Sequence, residues 1–140
     1  MPKISLSERM NHKILIMDGA MGTMLQRADL SAEDFGGEQF DGCNEYLNLT
    51  APGLIETNTF GATSIVLDEY SIGDKAYEIN RTASLIARRA ADQISTPSWP
   101  RFVAGSMGPT TKTLSVTGGT TFEELALSYE EQACGLIDGK

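Results

Sequence analysis

Three short stretches of this chain set polar groups beside residues with little or no side chain: Asp18-Gly19-Ala20-Met21-Gly22, Glu56-Thr57-Asn58-Thr59-Phe60-Gly61 and Gly105-Ser106-Met107-Gly108-Pro109. Asp18 offers a carboxylate that accepts from an ammonium group. Gly19 and Gly22 let a ligand approach the main chain, and the amides of residues 19–22, opening toward a helix start, suit a carboxylate. Two sites of opposite sign side by side fit an α-amino acid. An Asp-Gly pair after a buried run also serves as a plain turn, so both readings stand for this stretch. A phosphate loop fits less well, because the Lys-Ser/Thr of a P-loop and the three-glycine spacing of a dinucleotide fingerprint are missing. If Thr57, Asn58 and Thr59 are extended, Asn58 faces opposite to its neighbours. Glu56 is costly to bury unless paired, which equally describes a structural salt bridge. The Gly/Thr-rich run after Gly108 equally describes an ordinary polar loop.

Nucleophile and metal chemistry find less support. The chain has two cysteines, Cys43 and Cys134, and one histidine, His12. Their spacing makes neither a zinc pattern nor a disulfide framework. Cys43 lies in a long loop, a setting open to solvent. Cys134 lies beside the apolar stripe of a helix and reads as a core thiol. His12 is remote from both, so a cysteine–histidine nucleophile is not expected.

These stretches need elements to hold them. The 140 residues suffice for one core, and 41% apolar residues argue against wholesale disorder. The net charge of −8 disfavours nucleic-acid binding, which needs clustered Lys and Arg. No run reaches the ~18 apolar residues of a membrane span. The polar N-terminal stretch is no secretory signal, so a cytoplasmic setting is the expectation. Residues 1–12 form a lead-in with a short helix near Ser7–Met10, and 13–140 form the domain. Ile14, Leu15, Ile16 and Met17 suit a strand buried on both faces. Residues 27–53 are a long irregular loop. Leu54 and Ile55 begin a second strand. From Asp74 to Gln93, Ala76, Ile79, Ala83, Ile86 and Ala90 make a helical stripe. Pro97 and Pro100 break it. Phe102–Gly105 is the third strand. A last helix starts near Thr121, which has capping-box spacing to Glu124, with Phe122, Leu125, Ala126, Tyr129, Ala133, Leu136 and Ile137 as its buried stripe. Alternation of strands and helices implies an α/β fold with a parallel sheet. The three polar stretches then meet at the C-terminal ends of the strands, where α/β folds bind ligands.

Four segments taken together carry a resemblance: ILIMDGAMGTMLQ, GCNEYLNLTAP, LIETNTFGAT and FVAGSMGPTTKTLSV. In this order they resemble the homocysteine S-methyltransferase family, in particular the N-terminal homocysteine-binding region of its cobalamin-dependent, methionine-forming class. The resemblance runs over residues 13–139. It implies a (β/α)₈ TIM barrel that binds homocysteine and zinc at the strand ends. A zinc-bound thiolate would take a methyl group from methylcobalamin, giving methionine. Carried over by motif, Asp18, Gly19 and Ala20 would hold the amino and carboxylate groups of homocysteine. Thr57 and Phe60 would line the pocket with Asn58 close by, and Ser106 and Met107 would lie at the third strand end.

The chain departs from the family pattern in two ways. The family's first crossover helix is missing between Leu49 and Leu54, where only a short connection stands. About three of eight strands are present, since a barrel takes about 250 residues. Neither cysteine matches a zinc-ligand position, and the acidic residue that follows strand four in the family has no counterpart. The expectation is therefore a partial barrel in which this chain alone holds neither zinc nor cobalamin, has no catalytic residue of its own, and self-associates through an open sheet edge. The alternative is a non-catalytic small α/β module for amino-acid binding or interaction. A nucleotide-binding domain rests only on Gly19 and Gly22.

Overall fold

The computed structural model describes residues 6–11, 25, 27, 29–50, 58–98, 100–114 and 119–139. Helix α1 (Leu6–Met10) falls on the expected lead-in helix. The long loop is a chain of turns and 3-10 turns at Glu38–Phe40 and Asn44–Tyr46, followed by the short helix α2 (Leu47–Thr50). Positive φ at Gly36, Gly37 and Gly42 lets it fold back on itself. Leu25, just before it, forms a buried cluster with Phe35 and Leu47, and the Phe40 and Tyr46 rings lie 4.5 Å apart. A second cluster joins Cys43 to Ala62, Leu67, Ile72, Ala76 and Ile79. Helix α3 (Ser64–Leu67) starts at Thr63, whose hydroxyl accepts from the Val66 amide.

Two long helices dominate. Helix α4 (Ala76–Ile94) buries Ala76, Ile79 and Ala83 as the sequence predicts. The stripe then passes through Ala87 and Ala91, with Ile86 and Ala90 only half-buried. Ser95 leaves the helix in extended conformation, two residues before Pro97. Helix α5 (Phe122–Asp138) has the expected capping box: the Thr121 hydroxyl accepts from the Glu124 amide at 3.2 Å, and the Glu124 carboxylate accepts from the Thr121 amide at 2.8 Å.

The buried face of α5 is not the predicted one. Ser128, Gln132 and Gly135, with Gly139 just beyond the helix, lie against the protein. Phe122 and Ile137 are 72% and 54% exposed, Ala126 is exposed, and Leu125, Tyr129, Ala133 and Leu136 are half-buried. The cause is close packing of α5 on α4. A Cβ on Gly135 would stand 2.7 Å from the Tyr77 carbonyl oxygen, and one on Gly139 would run into the Arg81 carbonyl and Ser84. Small residues let the two backbones approach, and this turns the apolar stripe of α5 away from α4.

The α/β class and the partial TIM barrel are corrected by this structure. The described residues are mostly helical, with no sheet or barrel among them. Among the described residues an isolated parallel bridge joins Thr113 and Gly119. The first strand, at residues 14–17, and Leu54 and Ile55 of the second lie outside the described residues. Residues 102–105 are described and form no strand. A parallel strand needs neighbours that pair with its N–H and C=O groups, and no strand is described beside this segment. It lies instead along α5, where Leu136 occupies the space a side chain on Gly105 would need. Among the described residues the expected open sheet edge therefore has no sheet to belong to. Exposed apolar side chains include Phe122, Leu127 and Ile137 on α5 and Phe102, Met107 and Leu114 in the 102–114 segment.

Candidate functional site

Two of the three polar stretches meet. The Gly108 amide donates to the Phe60 carbonyl at 2.8 Å. The Thr59 hydroxyl donates to the Ser106 carbonyl at 2.8 Å. Gly108 has to be small, because a Cβ there would stand 2.6 Å from both the ring and the carbonyl oxygen of Phe60. From α5, the Tyr129 hydroxyl donates to the Gly108 carbonyl at 2.9 Å and so ties the second stretch to the helix.

The 58–62 turn is held on its other sides by side-chain amides. Asn48, on α2, donates through Nδ2 to the Asn58 carbonyl at 2.7 Å. Gln132, on α5, donates through Nε2 to the Thr59 carbonyl at 2.7 Å. Asn80, on α4, donates through Nδ2 to the Ala62 carbonyl at 2.7 Å and to the Ala76 carbonyl at 2.8 Å. The Gly61 amide donates to the Glu45 carboxylate at 2.9 Å. One turn is thus gripped from three helices and the long loop. Asn48, Asn80 and Gln132 are wholly buried.

Asn58 is buried and Phe60 is 57% exposed. Ser106 and Met107 are exposed on the adjoining stretch. Asp18, Gly19, Ala20 and Thr57 lie outside the described residues. Asn58, Phe60, Ser106 and Met107 therefore share one neighbourhood through the hydrogen bonds just described. The side-chain Nδ2 of Asn58 is buried with no hydrogen-bond partner among the described residues, as are Asn48 Oδ1, Asn80 Oδ1 and Gln132 Oε1. Unpaired buried polar atoms are uncommon, and here four surround one turn.

The sequence gives no site role to Asn48, Asn80, Tyr129 or Gln132, and it leaves open whether Thr59 faces the site. For Asn80 and Gln132 a signal existed: an amide set among helical positions that a core would otherwise fill with apolar residues.

The two cysteines exchange their expected places. Cys43 is 1% exposed, packed among Ala62, Leu67 and Ile72, and burial pushes its thiol up to about 11. Cys134 is exposed on α5. Among the described residues no three His, Cys, Asp or Glu side chains converge as a metal would need. The donors on these residues therefore do not fit the zinc that the family resemblance implies.

The homocysteine S-methyltransferase profile matches residues 15–140. The chain belongs to the homocysteine S-methyltransferase family. It is similar to the methionine synthases of Mycobacterium leprae (strain TN), at 41% identity, and Mycobacterium tuberculosis (strain ATCC 25618 / H37Rv), at 39%. Both alignments cover 149 residues, 96% of this chain and 12% of the relative. The chain therefore spans about an eighth of the length of these curated relatives. The 149 aligned residues exceed the 140 of the whole chain, so the relatives carry internal residues with no counterpart here.

Proposed function

We propose that this chain binds homocysteine and contributes part of the pocket in which its sulfur is methylated to give methionine. One observation carries the proposal. In a chain of this family, the turn at Asn58–Phe60 and the stretch at Ser106–Gly108 are hydrogen-bonded to each other, so their exposed side chains, Phe60 and Met107, present one surface. An apolar pair beside the buried amide of Asn58 suits a ligand with a short sulfur-bearing chain at one end and polar groups at the other. Asp18, Gly19, Ala20 and Thr57 complete the proposed set by motif, the first three for the amino and carboxylate groups.

Methyl transfer to sulfur needs the thiol proton removed, since a free thiol titrates near ~8.5. In the whole protein the zinc-bound thiolate and methylcobalamin would supply the reactive pair. The proposed contribution of this chain is to bind and orient the amino acid, in the cytoplasm. A second role, as an interaction module, is favoured by Phe122, Leu127 and Ile137, which are exposed on α5.

The test is a titration of the labelled chain with homocysteine, homoserine and a nucleotide, followed by NMR. Homocysteine is expected to shift the signals of Asn58, Phe60, Ser106 and Met107, and homoserine to do so more weakly. Shifts confined to other residues, or shifts with the nucleotide alone, would remove the homocysteine pocket. Concentration-dependent sedimentation without homocysteine-induced shifts would favour the interaction module.

A further inference from the structure

The amide grip on the 58–62 turn exceeds what satisfying the turn requires. The Thr59 carbonyl already accepts from the Ala62 amide at 3.2 Å, and Gln132 adds a second bond at 2.7 Å. Gln132 Oε1 finds no partner among the described residues in doing so. A buried side chain that satisfies one atom and strands another adds little net stability, and an apolar residue of similar size would fill the space at comparable cost. Asn48 and Asn80 follow the same pattern, each with Nδ2 on a turn carbonyl and Oδ1 without a partner among the described residues. Filling the core does not call for three such amides around one turn. Fixing the orientation of that turn does, because Asn58, Thr59 and Ala62 are each held from a different helix.

We propose that Gln132, with Asn48 and Asn80, is a positioning residue: the three amides lock the 58–62 turn so that Asn58 and Phe60 keep a fixed relation to the Ser106–Gly108 stretch. Helix α5 then acts on the pocket wall twice, through Gln132 to Thr59 and through Tyr129 to Gly108. The effect on ligand binding rests on the homocysteine reading above, whereas the grip on the turn does not.

The experiment compares Gln132→Leu with the wild-type 140-residue chain by site-resolved amide hydrogen exchange and by homocysteine titration. Ser128→Ala is the control. Ser128 lies on the same buried face of α5 but bonds Ser64 and the Ile65 amide, away from the turn. Loss of one hydrogen bond from the turn is expected to speed exchange at Gly61, Ala62 and Gly108 by about tenfold, with the middle of α4 unchanged. Homocysteine affinity is expected to fall by about three- to tenfold on the same basis. Ser128→Ala is expected to alter neither.

Unchanged exchange at the turn in Gln132→Leu would overturn the proposal, as would an equal change in Ser128→Ala. Faster turn exchange in a chain whose wild type binds no homocysteine would support the positioning role and remove the pocket reading. If Gln132→Leu does not fold, Gln132→Met, unbranched and of similar length, takes its place. Failure of both to fold would assign Gln132 to stability alone and overturn the proposal.

Discussion

Replacing Asn80 by aspartate exchanges a side-chain amide for a carboxyl and tests the grip on the 58–62 turn directly. In the wild type, Nδ2 of Asn80 donates to two carbonyl oxygens, 2.7 Å away on Ala62 and 2.8 Å away on Ala76. Asn80 is wholly buried. A carboxylate in that place would present an oxygen to two other oxygens, so the folded variant must keep its carboxyl protonated to donate. The unfolded chain would release that proton near ~3.9. Above that value the folded state therefore binds one proton more than the unfolded state, its carboxyl pKa being raised, and stability falls as pH rises. The slope is about 1.4 kcal/mol per pH unit, so at pH 7 the variant loses about 4 kcal/mol beyond any pH-independent cost. That is a large share of the 5–15 kcal/mol typical of a small domain. Below about pH 4 the pH-dependent part vanishes. Urea unfolding of wild type and Asn80→Asp at several pH values between about 5 and 7 measures the slope, and Asn80→Ala supplies a reference whose cost should not vary with pH. A gap between Asn80→Asp and wild type that stays level over that range would mean that the side chain does not face the two carbonyls, and the account of the turn would fail.

Two further outcomes follow from the packing. Gly135→Ala should destabilise the chain by about 1–2 kcal/mol, because overpacking against the Tyr77 carbonyl outweighs the better helix propensity of alanine; a raised melting temperature would contradict the close approach of α4 and α5. With a coloured disulfide reagent near neutral pH, Cys134 should react at once and Cys43 only as the chain unfolds, since Cys43 is buried and its thiol stays protonated up to about 11; rapid reaction of both would place Cys43 at the surface.

The parts of this molecule that were legible in the sequence are those set by local rules. Thr121 and Glu124 announce the start of α5 by spacing alone, and their reciprocal bonds form within one turn. Ala76, Ile79 and Ala83 repeat with the helical period and are buried. The family, too, was readable, because four ordered motifs carry it without reference to geometry. Of the residues proposed for the site by motif, Asn58, Phe60, Ser106 and Met107 lie in one neighbourhood, while the residues that hold them there carry no motif. What failed was the buried face of α5 and the pairing of residues 102–105, both of which depend on a neighbour. A run such as Phe102–Gly105 has strand composition, but pairing is a property of two segments, and composition speaks for one.

Helix α5 makes the same point about burial. Its most apolar stripe was assigned to the interior on the usual ground that apolar surface leaves water. The opposing consideration was visible as Gly135 and Gly139, four residues apart, but its force depends on α4 offering Tyr77, Arg81 and Ser84 at the matching height. Once the backbones meet there, Ser128 and Gln132 are carried inward on the same face, and polar side chains reach Ser64 and Thr59. The two glycines thus do more than join two helices. They set the depth at which Gln132 enters, and so connect the helix–helix contact to the turn that bears Asn58 and Phe60.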